Sequence, residues 1–343
     1  MKKIRLLRTR SFAIAKDALR VPRRGRLVPL YAGTDENQRA TLLRYLSMNA
    51  KFPPANPPPV HLILAVLITA VWGTNFVVIK VGLDSFPPLW FALLRFILVF
   101  FPTALFLARP RVLWRELAAY GLLVGAGQFG LLYIAMRGYI SPGLASLVVQ
   151  SQVFFTIAVA VWRSGERPTL NQYFAIIAGA CGLATVALGG THDATPLGLL
   201  MVIAAGLCWA LSNVAIRKAP PSMMLNYVVW ASLFSIPALL ALALIFEGFG
   251  PPVRAIVEAP LQAWAALIWQ ATGNTIFGFA TWGWLLSRHP TAVIMPIALL
   301  VPVFGMAASV LLLGETLPFW KLVGSGLILL ALCGPYVRWP IKS

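Results

Sequence analysis

The chain has 343 residues, of which 59% are hydrophobic and only 11% charged, and its mean hydropathy is +0.81. Soluble domains carry roughly 25% charged residues, so this sequence cannot cover a water-facing surface and its solvent is lipid. Its net charge of +18 does not point to nucleic acid, because the bases sit in an N-terminal segment and in short connections between apolar runs, the distribution of a membrane protein.

Residues 1–57 contain no apolar span. Thirteen of the 28 Lys and Arg lie between Lys2 and Lys51, against Asp17, Asp35 and Glu36, and the segment runs into a proline-rich stretch at Pro53, Pro54, Pro57, Pro58 and Pro59. It lacks the apolar core of a secretory signal. Three readings stand: sequence upstream of a start at Met48, a cytoplasmic arm on anionic lipid, or an Arg-rich organelle transit segment. The first is the expectation. Deleting residues 1–47 should therefore leave membrane insertion intact; failure of the truncated chain to insert would overturn it.

A membrane helix needs about 20 mostly apolar residues. Ten such segments follow, at about 60–81, 88–107, 117–136, 142–162, 170–189, 197–216, 224–246, 262–285, 291–313 and 318–337. Their connections hold the expected breakers, among them Pro87-Pro88, Arg109-Pro110, Ser141-Pro142, Pro220-Pro221 and His289-Pro290. The runs are continuous rather than alternating, which excludes a membrane β-barrel. With the N-terminus in the cytoplasm, ten bases fall in inner loops and the tail (Arg109, Arg111, Arg115, Arg163, Arg167, Arg217, Lys218, Arg288, Arg338, Lys342). Four fall outside (Lys80, Arg137, Arg254, Lys321). Both termini are accordingly expected inside a cell (inner) membrane.

The second five segments echo the first. Trp72-Gly73-Thr74-Asn75 followed by Lys80 resembles Trp209-Ala210-Leu211-Ser212-Asn213 followed by Arg217-Lys218. Arg95 to Pro102 matches Trp230 to Pro237, and Gly165-Glu166 matches Gly314-Glu315. Five is odd, so the second copy runs oppositely through the bilayer. The expected fold is an all-α membrane protein of ten transmembrane helices in two inverted five-helix repeats, residues 58–190 and 196–338. Inverted repeats of this kind mark transporters, with the binding site near the midplane.

Polar residues at membrane depth are costly and usually face the bundle interior. Arg95 lies about seven residues into the second segment, roughly 10 Å along its axis. Two roles remain open for it: a structural cation bonded to backbone carbonyls, or a cavity cation holding a substrate carboxylate through paired hydrogen bonds. Trp72 and Asn75, three apart, share a helix face. Trp209 with Asn213 and Gln270 with Asn274, each four apart, do the same, and Thr281 lies beyond the second pair. Gln128, Gln150 and Gln152 add polar groups. Each alone is readable as an interhelical hydrogen bond; together, apolar walls with a few convergent amides describe a site for a small zwitterion.

Other signals lead elsewhere. Gly125-x-Gly127-x-x-Gly130 fits the dinucleotide pattern but sits in an apolar helix with no preceding strand, so close helix packing explains it. There is no P-loop, so the chain is not by itself an ATP-driven pump. His61, His192 and His289 are far apart in sequence and suggest no metal site, and no cofactor is expected. No carboxylate falls at mid-membrane depth; proton coupling would need Glu166 or Glu315 at helix ends, or a basic group. Cys181, Cys208 and Cys333 read as small hydrophobes in helices.

The run WGTNFVVIKVGLDSFPPLWFALLRF (Trp72–Phe96), the run GLASLVVQSQVFFT (Gly143–Thr156) and the GER at Gly165–Arg167 resemble the drug/metabolite transporter superfamily, EamA type. Within it the chain looks most like the O-acetylserine/cysteine exporters. The resemblance covers Pro58 to Arg338, more strongly in the first half. It implies ten helices in two inverted halves, a central cavity, and export of amino acids or related metabolites. The competing classes are a membrane-embedded enzyme, for which no nucleophile–base pair or paired carboxylates are visible, and a non-transporting membrane protein.

Overall fold

The computed structural model describes residues 57–164, 170–189, 193–216, 223–289 and 294–333. Everything in them is helix or short connection, apart from one isolated antiparallel bridge between Ile140 and Ala194. In chain order the long helical runs are α1 (Pro59–Leu83), α2 (Pro88–Ala104), α3 (Trp114–Gly138), α4 (142–164), α5 (Leu170–Gly189), α6 (Pro196–Ile216), α7 (Met224–Phe246), α8 (261–288), α9 (295–313) and α10 (Phe319–Cys333). Among the described residues, α1, α3, α6 and α7 are long and apolar enough to cross a membrane, while α2, α9 and α10 are apolar but shorter.

Proline starts several of these runs. Pro59, Pro88 and Pro142 occupy first-turn positions, where a missing N–H costs nothing and φ is already helical. The apolar run of α2 continues to residue 107, but the helix ends at Ala104 with Pro102 inside its last turn. The equivalent Pro237 is carried inside α7, which continues to Phe246. A further short helix, Gly250–Glu258, fills the connection after α7, which the hydropathy reading treats as loop. It exposes Val253, Ile256 and Val257.

The ladder of α3 is interrupted in the middle. Nine α-helical residues (Trp114–Leu122) give way to an eight-residue π segment (Leu123–Gly130) before the α-helix resumes. The same sequence of events occurs in α8, where nine residues (Leu261–Trp269) precede an eight-residue π segment (Gln270–Phe277). In α4 the interruption is a 3₁₀ stretch, Val149–Ser151, and α9 opens on one, Met295–Leu300. Mid-helix π turns are rare and frequent at functional sites.

The main packed pairs are α5 with α10, α2 with α7, α1 with α9, α4 with α6 and α9, α3 with α6 and α7, and α1 with α8. Small residues let backbones approach. A Cβ on Gly182 of α5 would lie 2.9 Å from the Gly324 carbonyl of α10, closer than real Cβ atoms come, so this pair depends on the missing side chain. The outward faces carry Leu67, Phe174, Ile177, Ile245, Leu312 and Leu330, all exposed. Large apolar side chains exposed on so many helices are what a lipid-solvated body needs and a soluble one avoids.

One end of the bundle is tied by ions and helix termini. Lys321 at the start of α10 is 1% exposed and donates to Glu315 at 2.9 Å, to Asp193 at 3.5 Å and to the Thr316 carbonyl. The Glu315 carboxylate also accepts from Ser141 Oγ at 2.8 Å and from the Gly143 N–H at 3.0 Å, on the first turn of α4. At the same end Glu247, just past α7, accepts the Leu89 and Trp90 N–H groups that open α2. Burial pushes the Glu247 carboxyl above its ordinary range, against the pull of those two N–H groups and of Arg137.

Candidate functional site

The polar centre of the bundle is built on Arg95. Its place midway along α2 points it between α3 and α8, and it is completely buried. No carboxylate among the described residues lies within ion-pair distance of it. Its partners are neutral: Nη1 donates to Tyr133 Oη at 2.8 Å, while Nε and Nη2 donate to Thr275 Oγ1 at 3.2 and 2.8 Å. The guanidinium lies over the Phe129 ring, 3.8 Å from its centroid, a cation–π contact strengthened by desolvation.

From Tyr133 the network runs on. Its hydroxyl donates to Gln270 Oε1 at 3.1 Å; Gln270 Nε2 donates to Asn75 Oδ1 at 2.7 Å, and Asn75 Nδ2 returns to Gln270 Oε1 at 3.3 Å. One connected set of side chains thus joins α1, α2, α3 and α8. The π segment of α8 makes it possible. Its wider turn sets Thr275 over Gln270, so that Thr275 Oγ1 donates to the carbonyl five residues back at 2.9 Å while its lone pairs face Arg95.

Beside the guanidinium is a small cavity, lined by Arg95, Phe129, Tyr120, Ser232, Ser235 and Thr275 among others. Its volume is ≈ 10 Å³, about what one water needs and far too little for an amino acid. The two serines that line it are already spent on helix carbonyls, Ser232 on Val228 and Ser235 on Gly121. The chain is therefore occluded around its buried cation.

The other expected site residues separate into groups. Arg95, Asn75 and Gln270 meet as described. Trp72 sits one layer away: its Nε1 donates to the Asn274 carbonyl at 3.3 Å, and its ring packs on Phe279 and Trp282. Asn213 lies elsewhere, donating to Gln152 at 3.1 Å between α6 and α4. Gln150, on the 3₁₀ stretch beside that pair in sequence, is buried with its Oε1 unpartnered, as is the neighbouring Ser151 hydroxyl. Gln128 is buried in the π segment of α3, and Trp209 is half-buried against the core. Glu315 belongs to the ionic cluster at the bundle end, not to the Arg95 network. Glu166 and His192 lie outside the described residues.

Tyr133 and Thr275 were not among the expected residues. A hydroxyl on an apolar helix face gives no signal by itself, and the α-helical spacing that pairs Gln270 with Asn274 does not hold in a π segment. Two of the histidines, far apart in sequence, meet in space. His61 Nδ1 and His289 Nε2 lie 2.7 Å apart, and no third metal-ligand type joins them among the described residues. Burial holds His289 below the usual imidazole range, with His61 and Arg288 adding to the effect. The Gly125/Gly127 motif is explained by packing: a Cβ on Gly125 would fall 2.4 Å from Ser235 Cβ on α7, and one on Gly127 would fall 2.7 Å from Cys208 Sγ on α6.

Comparison with known proteins gives consistent results. Residues 60–188 and again 196–335 match the EamA-like transporter family. A probable amino-acid metabolite efflux pump of Salmonella typhimurium is 40% identical over 276 residues, which are 78% of this chain and 92% of the relative. Its Escherichia coli counterpart is 39% identical over 278 residues, 79% of this chain and 92% of that protein. A probable terminal-alkyne amino-acid exporter of Streptantibioticus cattleyicolor is 26% identical over 76% of this chain and 88% of its own length. A solved crystal structure with 17% identity shares the fold, with a TM-score of 0.55 over 79% of this chain and 95% of that one.

Proposed function

The chain belongs to the EamA-like transporter family, and on that premise we propose that it exports amino acids or their close derivatives, such as cysteine and O-acetylserine, across the inner membrane. Relatives named as amino-acid metabolite efflux pumps and as an amino-acid exporter support this substrate range. The observation that carries it within the chain is Arg95. A guanidinium buried in an apolar bundle with only neutral partners is costly. It becomes favourable when a substrate carboxylate arrives to form paired, charge-assisted hydrogen bonds. Asn75 and Gln270 border that seat, with Trp72 one layer behind. In the same reading we assign Asn274, Gln128, Gln150, Trp209 and Asn213 to the substrate's path, Asn213 lying apart from Arg95 in its pair with Gln152.

The architecture in this reading is two inverted five-helix halves, 58–190 and 196–338. Three observations support it. Packed helix pairs map onto one another when each helix is exchanged for the one five later: α1–α9 for α6–α4, α3–α6 for α8–α1, and α3–α7 for the lesser contact α8–α2. The π segments of α3 and α8 follow equal nine-residue lead-ins. The family matches the chain twice in tandem. With both termini cytoplasmic, a cysteine at Ser164 is labelled only from the cytoplasm and one at Thr316 only from outside. Labelling of both from one side would end the inverted arrangement.

Transport itself is tested by counterflow in proteoliposomes, with cysteine, O-acetylserine and a panel of amino acids. Exchange of at least one carboxylate-bearing compound is expected. No exchange of any would sink the reading, and chemical conversion of a compound would favour the membrane-enzyme alternative. An imposed pH gradient across the same vesicles reads whether protons are the counter-ion.

A further inference from the structure

The closed site shows what occupies the guanidinium in the absence of a substrate. Three of its five N–H groups are met by two neutral hydroxyls, Tyr133 Oη on α3 and Thr275 Oγ1 on α8. Thr275 Oγ1 alone spans the Nε and Nη2 side of the guanidinium and Tyr133 Oη takes Nη1, so a carboxylate paired across Nη1 and Nη2 meets Tyr133 on one of its two donors. The neighbouring cavity holds about one water, so no carboxylate can settle on Arg95 beside them. A hydroxyl must leave first.

We propose that Tyr133 is a placeholder that competes with the substrate carboxylate for Arg95, so that binding itself cuts the tie between α3 and the other helices of the site. The proposal rests on the amino-acid export reading above. Tyr133 is the residue whose departure has consequences. Its single proton goes to Gln270 Oε1, and its lone pair takes the Arg95 donor. It is thereby the hydroxyl that links α3 to both α2 and α8, and through Gln270 to Asn75 on α1. Thr275 is less free to move, because its own proton is held by the Gln270 carbonyl in the same π segment. Tyr133 also lies three residues past the π segment of α3, which ends at Gly130, the kind of helix irregularity that is frequent at functional sites.

The competition is unequal by design. A carboxylate forms charge-assisted bonds roughly twice as strong as those of a neutral hydroxyl, so a substrate displaces Tyr133, whereas an uncharged analogue does not. The site therefore recognises a free carboxylate through the contest as well as through the cation. Positioning by Tyr133 is separable from the structural role of its ring, which packs on Phe91 and Phe129 and is kept in phenylalanine.

The experiment compares the wild type with Tyr133→Phe, both purified in detergent, by equilibrium binding of O-acetyl-L-serine and of its carboxamide, with cysteine and a panel of other amino acids alongside. Removing the competitor is expected to tighten binding of the acid by about tenfold and to leave the amide unchanged. Thr275→Val serves as a second variant: Thr275 keeps its place when Tyr133 leaves, so this variant is expected not to tighten the acid, and tightening equal to that of Tyr133→Phe overturns the assignment to Tyr133. Equal affinity of the acid for wild type and Tyr133→Phe overturns the competition, as does weaker binding, or equal tightening of the amide. If no carboxylate-bearing compound in the panel binds the wild type, the export reading falls and the proposal with it.

Discussion

Arg95→Ala should abolish export while the protein still reaches the membrane. The substitution removes the only cation in the described network and leaves Tyr133, Thr275, Gln270 and Asn75, which can bond one another. A substrate carboxylate would then meet hydroxyls and amides alone in an apolar bundle. Loss of a paired, charge-assisted contact is expected to lower transport efficiency by about 100-fold or more. Arg95→Lys keeps the charge but cannot present two parallel N–H donors, so export should be weakened rather than lost. The stability side runs the other way from most buried charges. Arg95 has no carboxylate partner to strand, so its removal leaves no uncompensated ion behind. Folding of the alanine variant should therefore be affected less than transport. Export per folded molecule, measured with membrane abundance and melting temperature, decides the matter. A variant that folds poorly but exports normally per molecule would make Arg95 a structural residue.

The sequence made most of the helical architecture visible because lipid-solvated helices announce themselves by continuous apolar runs, and the breakers between them are proline and glycine. Where the runs misled, the cause is local. The helix α2 ends at Ala104 although the apolar character continues to Leu107, because hydropathy does not register where the hydrogen-bond ladder stops. The connection after α7 holds a helix too short for a hydropathy window. The site was half legible. A buried Arg and a buried amide stand out against Leu and Phe, so Arg95, Asn75 and Gln270 could be found. Their partners could not. In an α-helix Gln270 shares a face with Asn274, but the π segment brings Thr275 over it instead, and no residue in that stretch advertises the change of period. His61 and His289 met for a different reason: the end of α8 returns to the start of α1, a contact 228 residues apart in the chain.

The second large effect concerns Lys321, at the end of the bundle where α4 and α10 begin. Lys321→Met should destabilise the protein strongly, by about 3–5 kcal/mol, the usual cost of removing one partner of a buried pair. The lysine is 1% exposed, and the Glu315 and Asp193 side chains it faces are 10% and 20% exposed. Without it, two carboxylates share a poorly hydrated corner with no cation between them. Glu315 would keep the Ser141 hydroxyl and the Gly143 N–H, which neutralise only part of its charge. Asp193 stands at the longer distance of 3.5 Å and nearer to solvent, so most of the cost falls on Glu315. Glu315→Gln alone should be milder, about 1–3 kcal/mol, because an amide oxygen still accepts those two bonds. The double variant Lys321→Met, Glu315→Gln should be more stable than Lys321→Met, since the stranded charge is gone; neighbouring residues of this kind couple by about 0.5–3 kcal/mol. By contrast the exposed pair Lys80–Asp84 on α1 should contribute under about 1 kcal/mol. Unfolding of all three variants in detergent measures the series, and substrate affinity measured alongside should stay near the wild-type value, because Arg95 and its partners lie in a separate network. A double variant no more stable than Lys321→Met would mean that the lysine acts through its packing and not through its charge.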